Sequence, residues 1–297
     1  MKSFRMIFPV VCMVILILDA PTALAGAQAG LELCIRSVIP SLFPFIFLSA
    51  IMTGTDTLTP ILRPLGRICR IPEGGESILA AGLIGGYPVG AQCVVQGYRD
   101  GRLDWNNARR MLGFCSNAGP AFIFGFLSSC FAPQALWLLW GIHILSAIVT
   151  GILLPGGTQT RIPEDRSVSR TFTAALEQSV RTMGLICGWV VIFRVLLSFL
   201  RRWILWILPA WADILVSGLL ELTNGCCQLR LAEPEGLRFI LASVLLAFGG
   251  VCVWLQTASV TKELGTGTYL IGKLVQTGIS VALASFTQLF YNLYKTQ

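Results

Sequence analysis

Long apolar stretches alternate with short arginine-bearing links along the whole chain. The apolar segments run approximately over 6–24, 34–53, 77–96, 111–130, 135–154, 182–200, 203–226, 238–259 and 270–291. Most approach about 20 residues, the length that carries a helix across the hydrocarbon core of a bilayer. The pattern predicts an all-α integral membrane fold. A polar stretch, Gly156–Ser169, interrupts it with Pro163 and the charges of Arg161, Glu164, Asp165 and Arg166. That stretch is short enough for a cytoplasmic loop and too short for a soluble domain.

Composition sharpens the assignment. Charged residues make up 12% of the 297 positions and hydrophobic ones 55%, with a mean hydropathy of +0.73. Soluble domains carry about 25% charged residues, so this chain has about half the usual means of covering a surface facing water. The net charge of +7 would raise the question of nucleic acid on a soluble protein. Here the arginines cluster in links, Arg63, Arg67 and Arg70, then Arg99, Arg102, Arg109 and Arg110. Positive-inside bias accounts for that placement without a nucleic-acid partner. The ten cysteines are scattered, with no C-x-x-C and one vicinal pair, Cys226–Cys227. Neither a disulfide framework nor a zinc site fits that spacing, and inert packing cysteines are expected. At the N-terminus, Lys2 and Arg5 precede an apolar run ending near Ala23-Leu24-Ala25. Two readings stand there: a cleaved signal peptide, or a retained helix to about Leu24 with residues near Gln28 outside.

Self-comparison suggests a duplication. Ile35-Arg36-Ser37 parallels Val180-Arg181-Thr182, Gly82-Leu83-Ile84 parallels Gly218-Leu219-Leu220, and Leu112–Cys115 parallels Leu246–Gly249, at offsets of 145, 136 and 134. The basic links 54–76 and 97–110 both belong on the cytoplasmic side. Segment 77–96 then enters and leaves on one side, and Gly85-Gly86-Tyr87-Pro88-Val89-Gly90 breaks it midway. Crossings at 34–53, 111–130 and 135–154 make an odd number, so the second copy enters the membrane inverted. Its own hairpin is expected around 213–230, turning at Thr223-Asn224-Gly225. The expected architecture is therefore an inverted repeat of two units, each with a re-entrant helical hairpin and a broken transmembrane helix. Its segments are 1–28, a first repeat 29–155, a linker 156–171 and a second repeat 172–297. Arg201 and Arg202 fall on the outside in this scheme, against the charge rule.

Irregular backbone at membrane depth is tolerated where protein or a water-filled cavity satisfies it. In the first repeat this singles out Gly85, Gly86, Tyr87, Pro88, Gly90 and Gln92, then Ser116, Asn117 and Gly119 before Pro120. In the second it singles out Glu221, Thr223 and Asn224 at the hairpin, and Gln256 and Thr257 in 238–259. These residues either line a polar midplane pocket or mark a structural kink. Glu221 is a functional candidate because a carboxylate in lipid is costly. Its nearest intramembrane cation is Arg194, which either pairs with it or reaches toward Arg201. His143, the one histidine, suits packing or helix bonding better than metal. No metal, cofactor or catalytic motif is expected: H-E-x-x-H, G-x-S-x-G and P-loop patterns are missing.

Ile39-Pro40-Ser41-Leu42-Phe43-Pro44-Phe45, Gly82–Ala91 and Cys115–Pro120 resemble the sporulation integral membrane proteins of the YlbJ type, with the strongest likeness over residues 39–125. These fall in the wider nucleoside-recognition "Gate" group, together with spore maturation proteins and parts of nucleoside and ferrous-iron transporters. The resemblance implies an inverted repeat with re-entrant hairpins, a bacterial inner membrane and a role in spore formation. Residues that hold nucleosides in true carriers have no match beyond the hairpin glutamate, Glu221. Two functions follow: a permease-like protein handling a small solute or ion in the lipid bilayer, or a non-transporting scaffold with spore-envelope partners or a second copy of itself.

Overall fold

The computed structural model describes residues 2–52, 59–157 and 171–295, and every regular element among them is helical. Helix α1 (Lys2–Leu18) ends at Asp19, whose carboxylate accepts from the Thr22 amide at 3.4 Å and caps α2 (Ala20–Leu33). Pro21 sits in the first turn, where its missing N–H is no loss. The chain then runs through a π-helical stretch (Cys34–Val38) into α3 (Ile39–Met52). The break between the first two helices thus falls at Asp19 and not near Gln28, which lies inside the rod that starts at Ala20. The start signal is at Asp19 and Pro21, and the following Ala- and Gly-rich stretch contains nothing to end a helix.

Four shorter helices follow: α4 (Thr59–Ile68), α5 (Glu76–Gly85), α6 (Val89–Arg99) and α7 (Trp105–Leu112). Residues 113–119 are non-helical apart from turns, a π-helical turn (Ala121–Phe126) follows Pro120, and α8 (Pro133–Leu153) completes the first half. Segment 111–130, expected as a crossing helix broken at Ser116–Pro120, is interrupted from residue 113 to 119. The interruption is wider than the kink Pro120 alone would make, because residues 113–119 pack backbone to backbone against α5 and α6. The second half comprises α9 (Phe172–Trp203), α10 (Ala210–Leu220), α11 (Leu222–Cys227), α12 (Glu235–Phe248), α13 (Gly250–Val260) and α14 (Gly267–Lys295). Most of the expected linker, residues 158–170, lies outside the described residues.

Five helical runs among the described residues are long and apolar enough to span a bilayer: Ala20–Leu48, Pro133–Leu153, Phe172–Trp203, Glu235–Val260 and Gly267–Phe290. Their outer faces carry exposed Trp137, Leu145, Ile192, Ile271 and Leu274, which in lipid require no burial. The chain is an integral membrane protein.

The rod from Ala20 lies antiparallel to α9. Phe47 meets Phe172 at the near end, Cys34 meets Cys187 midway, and Asp19 pairs with Arg202 at the far end. Gly26 and Gly30 make the closest approach; a Cβ on either would come within 2.9 Å of an α9 backbone atom. Helices α8 and α14 also pack together. Arg70 and Arg110 gather the first half's loops around the end of α8, donating to the carbonyls of Ile152, Gly151 and Leu154. Cations at a helix C-terminus satisfy its last carbonyls. Arg99 reaches Glu263 at 2.7 Å, tying the link after α6 to the loop before α14. Hydrogen bonding to Glu263 holds the Arg99 guanidinium above its ordinary pKa. The opposite end is closed where Gly236, at the start of α12, meets Gln288 near the end of α14.

Candidate functional site

In the first half the site is built from bare backbone. Helix α5 stops at Gly85, Gly86 takes a φ of 77°, and α6 restarts after Pro88. The limbs fold back together, so that Gly97 on α6 packs on Ile78 of α5 and on Leu103. Two glycines inside this hairpin bracket the carbonyl of Cys115: a Cβ on Gly82 or Gly90 would lie 1.8 or 2.0 Å from its oxygen. Gly119 also approaches the tip, where a Cβ would sit 2.8 Å from the Ile84 carbonyl. No side chain fits at these positions, so the glycines permit one irregular segment to lie directly on another.

In the second half a charged side chain holds the break. Glu221 separates α10 from α11, and its carboxylate accepts from the Thr223 amide at 3.1 Å, the Asn224 amide at 2.7 Å and the Asn224 side chain at 2.9 Å. These are the orphan donors of a helix start, and an anion is favoured there. Arg194 donates to the other end of the same amide, the Asn224 Oδ1. Glu221 and Arg194 are thus joined through Asn224 rather than in direct contact, while Arg201 has its own partner in Asp213. A second interruption parts α12 from α13 at Gly249 and Gly250, both with positive φ. A Cβ on Gly250 would meet the Gly218 carbonyl at 2.9 Å, so this break lies against the α10–α11 tip.

Three of the interruptions meet at one cavity, and the fourth, at Gly249–Gly250, packs behind it against Tyr87 and the second tip. A cavity of ≈ 40 Å³ is bounded by Gly86 and Tyr87 from the first tip and Gly119 from the segment before Pro120. Glu221 and Thr223 bound it from the second tip, and Gln256 from α13, with Val38, Leu42 and Ile186 closing the sides. Water needs about 10–15 Å³ of such space, so this volume suits a few waters or one small ion. A second, wider space of ≈ 530 Å³, here called the vestibule, is lined by Arg36, Ser41, Ser129 and Arg230 among others. Ser41 and Leu42 are neighbours on α3, so one helix walls both spaces.

The other sequence candidates lie around this cavity without lining it. Gln92 exchanges hydrogen bonds with Thr182 of α9 at 3.1 and 3.2 Å. Gly85 and Gly90 serve hairpin packing, Pro88 restarts α6, and Ser116 and Thr257 are buried nearby. Asn224 bridges Glu221 to Arg194. Asn117 belongs to a second polar cluster, in which its Oδ1 accepts from Lys273 Nζ at 3.3 Å and from Gln276 Nε2 at 3.0 Å. His143 accepts the Ala118 N–H through Nε2 at 3.0 Å, tying α8 to the broken segment. Among the described residues no group of three or more His, Cys, Asp or Glu could hold a metal ion. All ten cysteines are free thiols.

Sequence reasoning missed Lys273 and Gln276. A signal for them exists: Lys273, Gln276 and Ser280 stand at i, i+3 and i+7 in an otherwise apolar segment, one face of a helix. A lysine at the edge of a span ordinarily reads as an interface anchor, and that position concealed it.

One curated protein resembles the chain over most of its length, the "Sporulation integral membrane protein YlbJ" of Bacillus subtilis (strain 168). The two are 26% identical over 288 aligned positions, which cover 80% of this chain and 70% of that protein. The resemblance seen in the residues is to this same type of protein. No protein-family model matches the chain, and no solved structure matches it.

Proposed function

We propose that this relative of a sporulation integral membrane protein is permease-like, passing a small polar solute or ion through a midplane site enclosed by its two broken hairpins. Three backbone interruptions meeting at one cavity, with the Gly249–Gly250 break packed behind two of them, carry the reading. Helix breaks at membrane depth are expensive unless the freed groups meet protein or a water-filled space, and discontinuous helices around a central site are the recurrent plan of secondary transporters.

The directions of the helices support an inverted repeat. The rod from Ala20 and α9 run oppositely, as do α8 and α14. In this reading residues 29–155 and 172–297 are the two units. The α5–α6 hairpin enters from the side of the arginine links, the cytoplasmic side of a bacterial inner membrane, and α10–α11 enters from the other. The cavity of ≈ 40 Å³ is too small for anything beyond a few atoms. Loading of a larger solute from the vestibule therefore requires the tips around Gly86 and Glu221 to part. The relative is named for sporulation, and we place this chain in the same process.

Uptake into vesicles reconstituted with the full chain tests the reading, using uridine, dipicolinate and manganese(II) as separate probes. Uptake of at least one probe is expected, falling about tenfold or more in Glu221→Gln and Gln256→Ala, the loss of roughly 1.4 kcal/mol. If the intact protein moves none of them above empty vesicles, the permease reading is rejected in favour of a scaffold.

A further inference from the structure

Helix α14 buries a lysine completely. Lys273 and Gln276 are 0% exposed, and Nζ of Lys273 lies 3.1 Å from the Tyr87 hydroxyl, 3.3 Å from Asn117 Oδ1 and 2.6 Å from Gln276 Oε1. An ammonium carries three hydrogens and no lone pair, so three acceptors are its full complement. Each acceptor is turned toward Nζ by another bond. Asn117 Nδ2 donates to the Phe114 carbonyl at 2.7 Å, and Gln276 Nε2 donates to Asn117 Oδ1 and to the His143 carbonyl. The Tyr87 hydroxyl donates to the Leu246 carbonyl at 3.1 Å, with Ala247 O at 3.4 Å.

Among the described residues, the groups facing Nζ offer no counter-ion. The hairpin tip presents Tyr87, the segment after α7 presents Cys115, α8 presents His143, and α14 itself presents Tyr269. Helix α12 brings carbonyls and Ser243 to α14; its charged side chains, Glu235 and Arg238, stand in its first turns. Arg110 of α7 is occupied with carbonyls at the end of α8. His143 cannot take a proton on Nε2 without giving up the Ala118 N–H. An ammonium held at bilayer depth by neutral groups alone bears a desolvation penalty that the free amine escapes, and this pocket has the parts to house either form.

The geometry points to Lys273 as a reversible proton-binding site, with Tyr87 relaying its charge state to the central cavity. When Nζ releases a proton to water it keeps two hydrogens and gains a lone pair, so one of its three neighbours must become a donor. Asn117 Oδ1 and Gln276 Oε1 have no hydrogen to give. Tyr87 has one, and the hydroxyl hydrogen turns from the Leu246 carbonyl to Nζ. That releases the last carbonyls of α12, three residues ahead of the Gly249–Gly250 break, from the first hairpin tip. Tyr87 itself is a wall of the cavity, so proton loading and cavity shape are linked. As a coupling ion, the proton rests on the permease reading; as a bound ligand of Lys273, it does not.

The full chain in lipid nanodiscs, labelled with [ε-13C]lysine, tests the site with protons as the sole ligand. The sequence has four lysines, Lys2, Lys262, Lys273 and Lys295, so arginine at the other three leaves one resonance without altering Lys273. That resonance is expected to move between its ammonium and amine positions when the nanodiscs are titrated, and Tyr87→Phe should displace its midpoint. A Lys273 signal fixed over the whole pH range in which the protein stays folded overturns the proton site, whether or not any solute is transported. In vesicles that take up a probe, an imposed pH gradient should accelerate uptake by the intact protein and not by Lys273→Arg, whose guanidinium keeps its proton. Uptake indifferent to the gradient in the intact protein overturns the coupling and leaves the permease reading standing.

Discussion

The two hairpin tips end helices in the same apolar surroundings, and a carboxylate holds the second of them where the first has none. The first, between α5 and α6, uses the absence of side chains: Gly82, Gly90 and Gly119 let three backbone segments touch. The second, between α10 and α11, uses a carboxylate, with Glu221 accepting three hydrogen bonds and passing to Arg194 through Asn224. A tip made of backbone is intolerant of any added atom and indifferent to charge. The second tip has one such backbone contact of its own, Gly225 on Gly218, and fails in addition when an acceptor is lost. The two halves should therefore fail to different substitutions.

The sharpest contrast is steric. Gly82→Ala or Gly90→Ala drives a Cβ into the Cys115 carbonyl, where only backbone movement gives relief. A loss above about 3 kcal/mol is expected, seen as absence of a folded monodisperse peak in size exclusion. At the second hairpin Gly218→Ala meets the end of the Leu245 side chain instead, at 2.5 Å. That side chain can turn, so about 1–3 kcal/mol is expected and the protein should remain foldable. Equal damage at both positions would dissolve the distinction.

The chemical contrast runs the other way. Glu221→Ala strands the Thr223 and Asn224 donors, each at about 1–3 kcal/mol when buried, and a clear drop in thermal midpoint is expected in detergent. Glu221→Gln keeps an acceptor oxygen and should fall between this variant and the intact protein. Asn224→Ala removes the link between Glu221 and Arg194 and is expected to cost about 1–3 kcal/mol. The smallest effect belongs to the surface. Arg99→Ala breaks an exposed pair with Glu263 and should cost below about 1 kcal/mol, vanishing in high salt.

The sequence made these tips unequally legible. Three glycines around Tyr87-Pro88 announce a break to anyone reading composition, and Glu221 announces itself by its charge. Both positions line the cavity. The width of the 113–119 interruption was not legible, because it depends on the Cys115 carbonyl lying between Gly82 and Gly90, a contact between segments with no local signal. The rod through Gln28 was missed because an apolar run beside a cleavage-like Ala-Leu-Ala suggested an end where Asp19 and Pro21 had already set a beginning. Lys273 lay unread because a lysine near the end of a span has an ordinary explanation, and only tertiary packing places Tyr87 and Asn117 around it. Charge and glycine reveal where the chain must break; they do not reveal which breaks meet.

Whether the two tips approach from opposite membrane faces is the claim on which the enclosed site depends. Cysteines placed singly at Glu73 and Arg99, the base of the first hairpin, and at Ala210 and Glu233, the base of the second, can be labelled in sealed vesicles with an impermeant maleimide after the native cysteines are replaced by serine. The account predicts that Glu73→Cys and Arg99→Cys react from one face, and Ala210→Cys and Glu233→Cys from the other. Labelling of Glu73→Cys and Arg99→Cys from opposite faces, or of all four from the same face, would contradict it.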